Sequence, residues 1–383
     1  MKKLLTISKD ASIKVASTIY DYLAADHIYL PIDPTDKLLI HSKNVTKGEL
    51  LYRHKKKGYY SPVSGKILKI EEKKNKEGEK QYYLNIKNDY QENDSYAGIS
   101  EFTTVKISTD FVKKVREYPD YSWYKFRRKE KIILNGMEDE PYVANKTFLH
   151  KYYAREILQM LDILGDVFKI PEIVLCFKEN DRESIETVEA FIGTYPNMSL
   201  KILPDVYPIE EKEILSRYLP VNDEAVVLSS EEVFDLYREI VKERRKDAVL
   251  ITLTGDAVTT PKVVRVKIGT PLQEVVEATM NFKSQDYQVI VNGLLKGVES
   301  NISDIIITED IRVVYFMVKK VNHESACIHC GKCNEVCPVR CKPYLAYLSQ
   351  GKRCDEQCLE CGLCSFICPS HIPLYKYIGG KYE

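Results

Sequence analysis

The sequence predicts a multidomain α/β protein that ends in a small, cysteine-rich helical unit. Three observations predict it. Strands and helices alternate between residues 130 and 258, turn-punctuated β runs flank that stretch on both sides, and ten of the eleven cysteines crowd between Cys327 and Cys368. Alternating strands and helices imply a mainly parallel sheet, and β runs bounded by turn residues imply separate β units.

The expected organisation has four parts: an all-β unit over 28–90, an α/β domain over 91–258, a second β-rich unit over 259–320, and the cysteine-rich domain over 321–383. In the first, Leu38–Ile40, Val45–Leu51 and Tyr60–Ile70 read as short strands. Its Ser61-Pro62-Val63-Ser64-Gly65-Lys66-Ile67 stretch looks like the barrel-sandwich hybrid of lipoyl and biotinyl carriers. The Asp-Lys-Ala and Met-Lys-Met signatures of those carriers are missing, so no swinging arm is expected. Lysines at Lys55–Lys57 and around Lys73–Lys80 read as solvated hairpin tips.

Residues 90–128 read as a connecting segment, with Tyr118, Tyr121, Trp123 and Tyr124 as an alternative stacking surface. The α/β strands are Lys131–Asn135, Glu172–Lys178, Leu200–Leu203, Ala225–Leu228 and Val249–Thr252. Helices are expected near Lys146–Leu164, where Ile157, Leu158, Leu161 and Leu164 share one face, at Asp181–Thr194, and at Ser230–Val241, capped by Ser230. Between 260 and 320, strands at Val263–Ile268, Gln288–Val291 and Ile311–Val318 with a helix at Pro271–Met280 fit a β-grasp arrangement.

The cysteines carry the chemistry. Cys327, Cys330, Cys333 and Cys337-Pro338 repeat the spacing of Cys358, Cys361, Cys364 and Cys368-Pro369. Both runs read C-x2-C-x2-C-x3-C-P, the spacing that holds two [4Fe–4S] clusters, with the fourth cysteine of each run reaching the other cluster. The expected ligands are Cys327, Cys330, Cys333 and Cys368 for cluster one, and Cys358, Cys361, Cys364 and Cys337 for cluster two. The glycine after each second cysteine allows a tight turn. Zinc closes with four ligands and needs no such tandem, and disulfides are disfavoured in a reducing compartment. Cys341 and Cys354 are left over, as thiols packed near the clusters or as further ligands. His323 and His329 flank cluster one and read as solvent-side residues or as tuners of its potential. Cys176, in an apolar strand, reads as a small buried hydrophobe.

Composition excludes several classes. Fifty-six basic residues balance fifty-six acidic ones, which gives no case for nucleic acid. No stretch approaches the roughly 18 consecutive apolar residues of a membrane span, and the apolar part of the N-terminus is too short for a signal peptide. The expected location is cytoplasmic. Metalloprotease, nucleophile-elbow and Walker motifs are all missing.

The order of parts resembles the RnfC-like family, the C subunits of Rnf-type ferredoxin:NAD oxidoreductases, and related cobalamin reductases. The α/β and β-grasp parts are similar to the flavoprotein subunit of respiratory complex I. The resemblance rests on Ile133–Tyr142, Thr252–Val258, Lys267–Pro271 and the cysteine tandem. It implies a barrel-sandwich hybrid, a Rossmann-like domain, an SLBB-like β-grasp and a dicluster ferredoxin-like domain. It also implies electron transfer between NADH, FMN and the clusters, and peripheral docking on membrane partners at the inner face.

Where a flavin phosphate would sit, the sequence departs from the family. A Gly-rich loop should precede the Asn-Gly-x-Glu segment, because glycines let backbone amides approach the anion. Residues 115–126 contain no glycine. A second family loop, Tyr-Pro-x-Gly-Gly-Glu-Lys, reads Tyr207-Pro208-Ile209-Glu210-Glu211-Lys212, with acids in place of glycines. Only Asn135, Glu138 and Glu140 remain of the flavin and nucleotide shell. FMN is therefore disfavoured, and the expected function is a relay of single electrons through two clusters. Its partners would be redox proteins such as a ferredoxin or flavoprotein and other subunits of a complex. NAD(P)H oxidation by the chain alone is not expected. The alternatives are an FMN-dependent NADH dehydrogenase subunit and a scaffold with structural clusters.

Overall fold

A computed structural model describes residues 18–55, 57–91, 109–116, 123–319, 324–351 and 357–378. Seven strands come first: β1 (Ile19–Tyr22), β2 (His27–Pro31), β3 (Asn44–Val45), β4 (Leu50–His54), β5 (Lys57–Tyr60), β6 (Gly65–Lys74) and β7 (Lys80–Asn88). After α1 (Thr109–Arg116) the chain alternates: β8 (Lys131–Asn135), α2 (Asn145–Phe168), β9 (Glu172–Lys178), α3 (Arg182–Ile192), β10 (Met198–Leu203), α4 (Lys212–Leu215), β11 (Ala225–Ser229) and α5 (Ser230–Leu236). The last of these runs into a π turn, Tyr237–Val241. Next come β12 (Ala248–Thr254), β13 (Lys262–Lys267), α6 (Leu272–Thr279), β14 (Tyr287–Val291), β15 (Val298–Ser300) and β16 (Val313–Val318). Short helices α7 (Lys332–Val336), α8 (Pro343–Leu348) and α9 (Leu363–Phe366) and a 3-10 turn at Leu374–Tyr377 follow among the described residues.

The strands form an antiparallel sheet β2-β7-β6-β3, a hairpin β4-β5, a parallel sheet β10-β9-β8-β11 and a mixed sheet β1-β13-β12-β16-β14-β15. The protein is thus a mixed α/β chain with several sheets. Burial explains the parallel sheet. Ile132, Leu134, Leu175 and Phe177 on one face pack against Ile157, Leu158, Leu161 and Leu164 of α2, the helical face expected from the sequence. Ile133, Val174 and Cys176 on the other face pack beneath Ile209 and Leu215. Cys176 is fully buried, and burial pushes its thiol up to about 12.

The structure corrects three local readings. Val249–Thr252 does not join the parallel sheet. It belongs to β12, antiparallel to β13 and parallel to β16. Side chains alternate across a strand, so Val249, Ile251 and Leu253 enter the core shared with Ile28, Leu30 and Ile86, while Leu250 packs against the α2–α5 core. A largely apolar strand buried on both faces reads in sequence like an inner strand of a parallel sheet. The cap of α5 is Ser229, whose hydroxyl accepts from Glu232 N at 3.1 Å. Ser230 is turned inward to His150 Nε2 at 2.7 Å, and His150 Nδ1 meets Ser184 at 2.8 Å. This buried trio ties α2, α3 and α5 together, and burial drives His150 down to about 3, so it stays neutral. Lastly, Leu38–Ile40 forms no strand.

Of the aromatic group, Tyr118 and Tyr121 lie outside the described residues. Trp123 stacks on Phe168 at 5.5 Å and leans on Phe126, so it belongs to the core rather than to a stacking platform. The lysine-rich tips do lie at turns, Lys55 between β4 and β5 and Lys76 between β6 and β7. Lys57 and Lys76 pair with Glu309 and Asp310 respectively. Among the described residues, no helix is long and apolar enough to cross a membrane.

Candidate functional site

The two cysteine runs fold as the same turn twice. In each, the residue before the second cysteine adopts positive φ, His329 at 59° and Glu360 at 50°, and its N–H donates to the first cysteine sulfur at 3.4 and 3.3 Å. The following glycines, Gly331 and Gly362, sit at φ 76° and 77° and open α7 and α9. Three residues past the fourth cysteines, Arg340 and His371 again have positive φ.

The fourth cysteines cross over. Cys368 lines one pocket with Cys327, Cys330 and Cys333, under Tyr344 and Tyr347. Cys337 lies beside Cys358 and Cys361. Burial raises the Cys358 thiol and pushes Cys361 up to about 11, and the neighbouring Cys337 adds to both shifts. Burial likewise pushes Cys364 up to about 12. Such thiols stay protonated at neutral pH unless a metal supplies the compensating charge. Among the described residues, no three His, Cys, Asp or Glu side chains converge on a point that would hold a single metal ion. In a four-iron cube each thiolate binds a different iron, so its ligands stand further apart than those of one zinc ion. Four cysteine thiols are the donor set that such a cube takes.

Cys341 is buried and its side chain hydrogen-bonds Cys358. Cys354 and His323 lie outside the described residues. His329 is exposed, with Nδ1 2.6 Å from the Tyr344 hydroxyl.

The surroundings of the two turns differ. In the first, Ile328 is 64% exposed, Cys330 is exposed, and a side chain at Gly331 would meet nothing. The second is pressed against the body of the protein. Leu363 is 1% exposed, the Tyr207 hydroxyl donates to the Cys361 carbonyl at 2.9 Å, and a Cβ at Gly362 would come within 2.3 Å of the Leu295 carbonyl.

Beyond Tyr207 lies the shell of Asn135, Glu138 and Glu140, at the C-terminal ends of the parallel strands. The structure brings all three to one place. Asn135 donates from Nδ2 to the Glu210 carbonyl at 3.0 Å, fixing the 207–211 loop. Glu138 accepts from Lys146 N at 2.6 Å and Thr147 N at 3.0 Å, so its own carboxylate occupies the N-terminal amides of α2. Burial pushes Glu138 up to about 8, against the pull of Lys146. Burial also works to raise Asp139, but Lys146 and Arg312 outweigh it and hold that carboxyl below its ordinary value. Glu140 and Glu210 are buried, and their oxygens accept no well-aligned hydrogen bond. Ion pairs support them instead, Lys296 to Glu140 at 3.7 Å and Lys178 to Glu210 at 3.2 Å. Burial pushes Glu140 up to about 7, and it raises Glu210 as well.

The cations of this network, Lys146, Lys178, Lys296 and Arg312, escaped the sequence reading. Lys146 was legible in principle, as a charged residue four positions before the inward-facing His150 on an otherwise apolar helix face. Lys296 and Arg312 reach in from distant segments, and local pattern holds no trace of that.

The Nuo51 FMN-binding domain family matches residues 114–227. The C subunit of the Na(+)-translocating ferredoxin:NAD(+) oxidoreductase complex of Acetobacterium woodii is 25% identical over 326 residues, covering 78% of this chain and 73% of the relative. The C subunit of the ion-translocating oxidoreductase complex of Pectobacterium atrosepticum is 27% identical over 232 residues, covering 57% of this chain and 34% of the relative. The chain therefore spans about three quarters of the first relative's length and about a third of the second's. Among solved structures, an NAD+-reducing [NiFe]-hydrogenase in the air-oxidized state aligns with a TM-score of 0.45 at 13% identity, covering 66% of this chain and 51% of that one.

Proposed function

The chain fits an RnfC-like family, the C subunits of ion-translocating oxidoreductase complexes, and within that family we propose that it is an iron–sulfur electron-transfer subunit whose flavin site has been lost. The four parts at 28–90, 91–258, 259–320 and 321–383 are then a barrel-sandwich hybrid, a degenerate FMN domain, an SLBB-like β-grasp and a dicluster domain. Its partners are other subunits of such a complex, on which it docks peripherally.

One observation carries the reading: each fourth cysteine lies beside cysteines of the other run, Cys368 with Cys327, Cys330 and Cys333, and Cys337 with Cys358 and Cys361. Cys327, Cys330, Cys333 and Cys368 would hold one [4Fe–4S] group, and Cys358, Cys361, Cys364 and Cys337 the other. When bound, each group takes up and gives back one electron at a time. The chain's residues do the rest. Leu363, Leu359 and Leu295 exclude water from the second set, while the open first set leaves a face for a redox partner.

A flavin phosphate does not fit the shell at Asn135, Glu138 and Glu140. Glu138 already holds the α2 amides, and Glu140 and Glu210 would bring buried negative charge against an anion. The match of the FMN-binding domain family favours the second reading, a flavin-dependent NADH dehydrogenase subunit. Anaerobic purification with iron, sulfide and flavin assays separates the two. About eight irons per chain without flavin, reducible by dithionite but not by NADH, is expected. One flavin per chain with bleaching by NADH would replace the relay with the dehydrogenase.

A further inference from the structure

We propose that the open edge of β11 binds an acidic, extended segment of a partner protein, which joins the parallel sheet as a fifth strand beside Arg127, Arg128, Lys129 and Lys212. The sheet runs β10-β9-β8-β11, so among the described residues β11 has a neighbouring strand on one side only. Lys131 N donates to the Glu224 carbonyl at 3.2 Å, which sets the phase of the ladder. Backbone groups of alternate residues face the same neighbour, so Val226 and Leu228 turn theirs to β8 and Val227 turns its N–H and C=O outward. Ala225, also outward, spends its N–H on a turn to the Asn222 carbonyl at 3.1 Å. The outward groups of Val227 meet no partner among the described residues.

A second observation concerns charge. A cleft of about 530 Å³ opens along Ala225–Val227, and its remaining walls are Tyr124 and five cations, with no carboxylate. One cation, Lys125, is paired with Glu232. Of the other four, Lys129 donates to a neutral group, the Asp223 carbonyl, and Arg127 lies 6.0 Å from the centre of the Tyr124 ring. Arg127, Arg128, Lys129 and Lys212 pair with no acid among the described residues. The nearby acids Glu130, Asp223 and Glu224 are exposed and do not line the cleft. The strand edge selects the shape of the ligand, because only an extended peptide can continue a backbone ladder. The cations select its sign. They also disfavour a second copy of this chain, whose own β11 would bring the same charges, and charged edges are how sheets avoid pairing with themselves. No cysteine lines the cleft, so the docking stands apart from the iron–sulfur reading.

The test is fluorescence anisotropy of labelled probes with the full-length protein, purified anaerobically, at constant ionic strength. The probes are an eight-residue alternating Asp-Val peptide, a copy with every backbone nitrogen methylated, an alternating Lys-Val peptide and an eight-nucleotide oligouridylate. The Asp-Val peptide should bind about tenfold or more tightly than each of the other three. Arg127→Glu and Lys212→Glu, both at exposed positions, should each weaken it about fivefold. Val227→Pro deletes the outward N–H and spares the ladder to β8, and it should cost about tenfold. The two charge variants keep the test decisive if Val227→Pro unfolds. The proposal fails if the Asp-Val peptide shows no binding at millimolar concentration, if the methylated copy or the oligouridylate binds as tightly, or if the charge variants bind like the parent. It fails too if the protein is a dimer that Val227→Pro turns into a folded monomer, since a second copy would then hold the edge.

Discussion

The two cysteine turns are nearly the same object in two settings. Their backbones share three positive-φ positions and the same N–H to sulfur contact. One stands open, with Ile328 and Cys330 at the surface, while the other is covered by Tyr207, Leu295 and Leu359. Local sequence sets the turn, and tertiary surroundings decide which of the two can meet another protein. The chemistry differs less sharply. Burial raises the thiols of Cys358, Cys361 and Cys364 in the covered turn and that of Cys333 in the open one, where Cys330 alone is exposed to solvent and oxidants.

The crossing of the fourth cysteines is the first thing to break. Cys368→Ala should remove the iron group of the open turn although the residue belongs to the covered run, and Cys337→Ala should do the reverse. Each variant should lose about half of roughly eight irons, counted by iron assay with electron paramagnetic resonance to identify the group that survives. If Cys368→Ala instead erased the covered group, each run would be closing on itself.

Next in size is the pair of glycines. Gly331→Ala and Gly362→Ala both place a side chain at positive φ, at a cost of about 1 kcal/mol. Only at Gly362 would the new Cβ also strike a backbone carbonyl, 2.3 Å away, so a loss of about 3 kcal/mol or more is expected there. Thermal melts of the two variants side by side measure the difference, and equal losses would mean that the covered turn is not pressed onto Leu295.

A smaller effect should come from the acids behind the covered turn. Glu140 titrates at about 7 in the folded protein because it is buried, against an ordinary value of 4.5. The native state then binds more protons than the unfolded chain between those limits. The stability this proton supplies is complete below about pH 4.5 and is lost as pH rises through 7. Glu140→Gln should reduce that slope and raise stability at pH 8 by about 1–3 kcal/mol, read by urea titrations at pH 5 and pH 8. An unchanged slope would mean that Glu140 ionises as freely as it does in water.

The smallest expected change is Tyr207→Phe. It deletes the hydrogen bond to the Cys361 carbonyl, worth about 1 kcal/mol. Oxygen should then bleach the covered group faster while leaving the open group unaffected, as followed by visible absorbance. Equal rates for parent and variant would deny Tyr207 a part in sealing that turn.

Much of this was legible in residue order. Period and turn residues located the helix at Lys146–Leu164 and the strands at 131–135 and 172–178, because those segments satisfy their own patterns. The glycine turns were legible for the same reason. The pairing of β12 was not, because a strand buried on both faces carries no alternation to say which sheet it joins. Nor could sequence show that Glu138 caps α2. Its partners, Lys146 N and Thr147 N, are backbone groups eight and nine residues away, and the loop between them has no periodic signature. Asn135, Glu138 and Glu140 stood out by resemblance, but only the folded chain shows that Lys178, Lys296 and Arg312 come in from elsewhere to balance the acids around them.

The double-sided burial of β12 has a mechanical consequence. Ile251 and Leu253 are gripped from one side and Leu250 from the other, so neither neighbour can loosen without uncovering the strand they share. Severing the chain after residue 258 would separate β12 from β13, and each fragment would carry a raw apolar flank that invites aggregation. The protein should melt across this seam as one cooperative block.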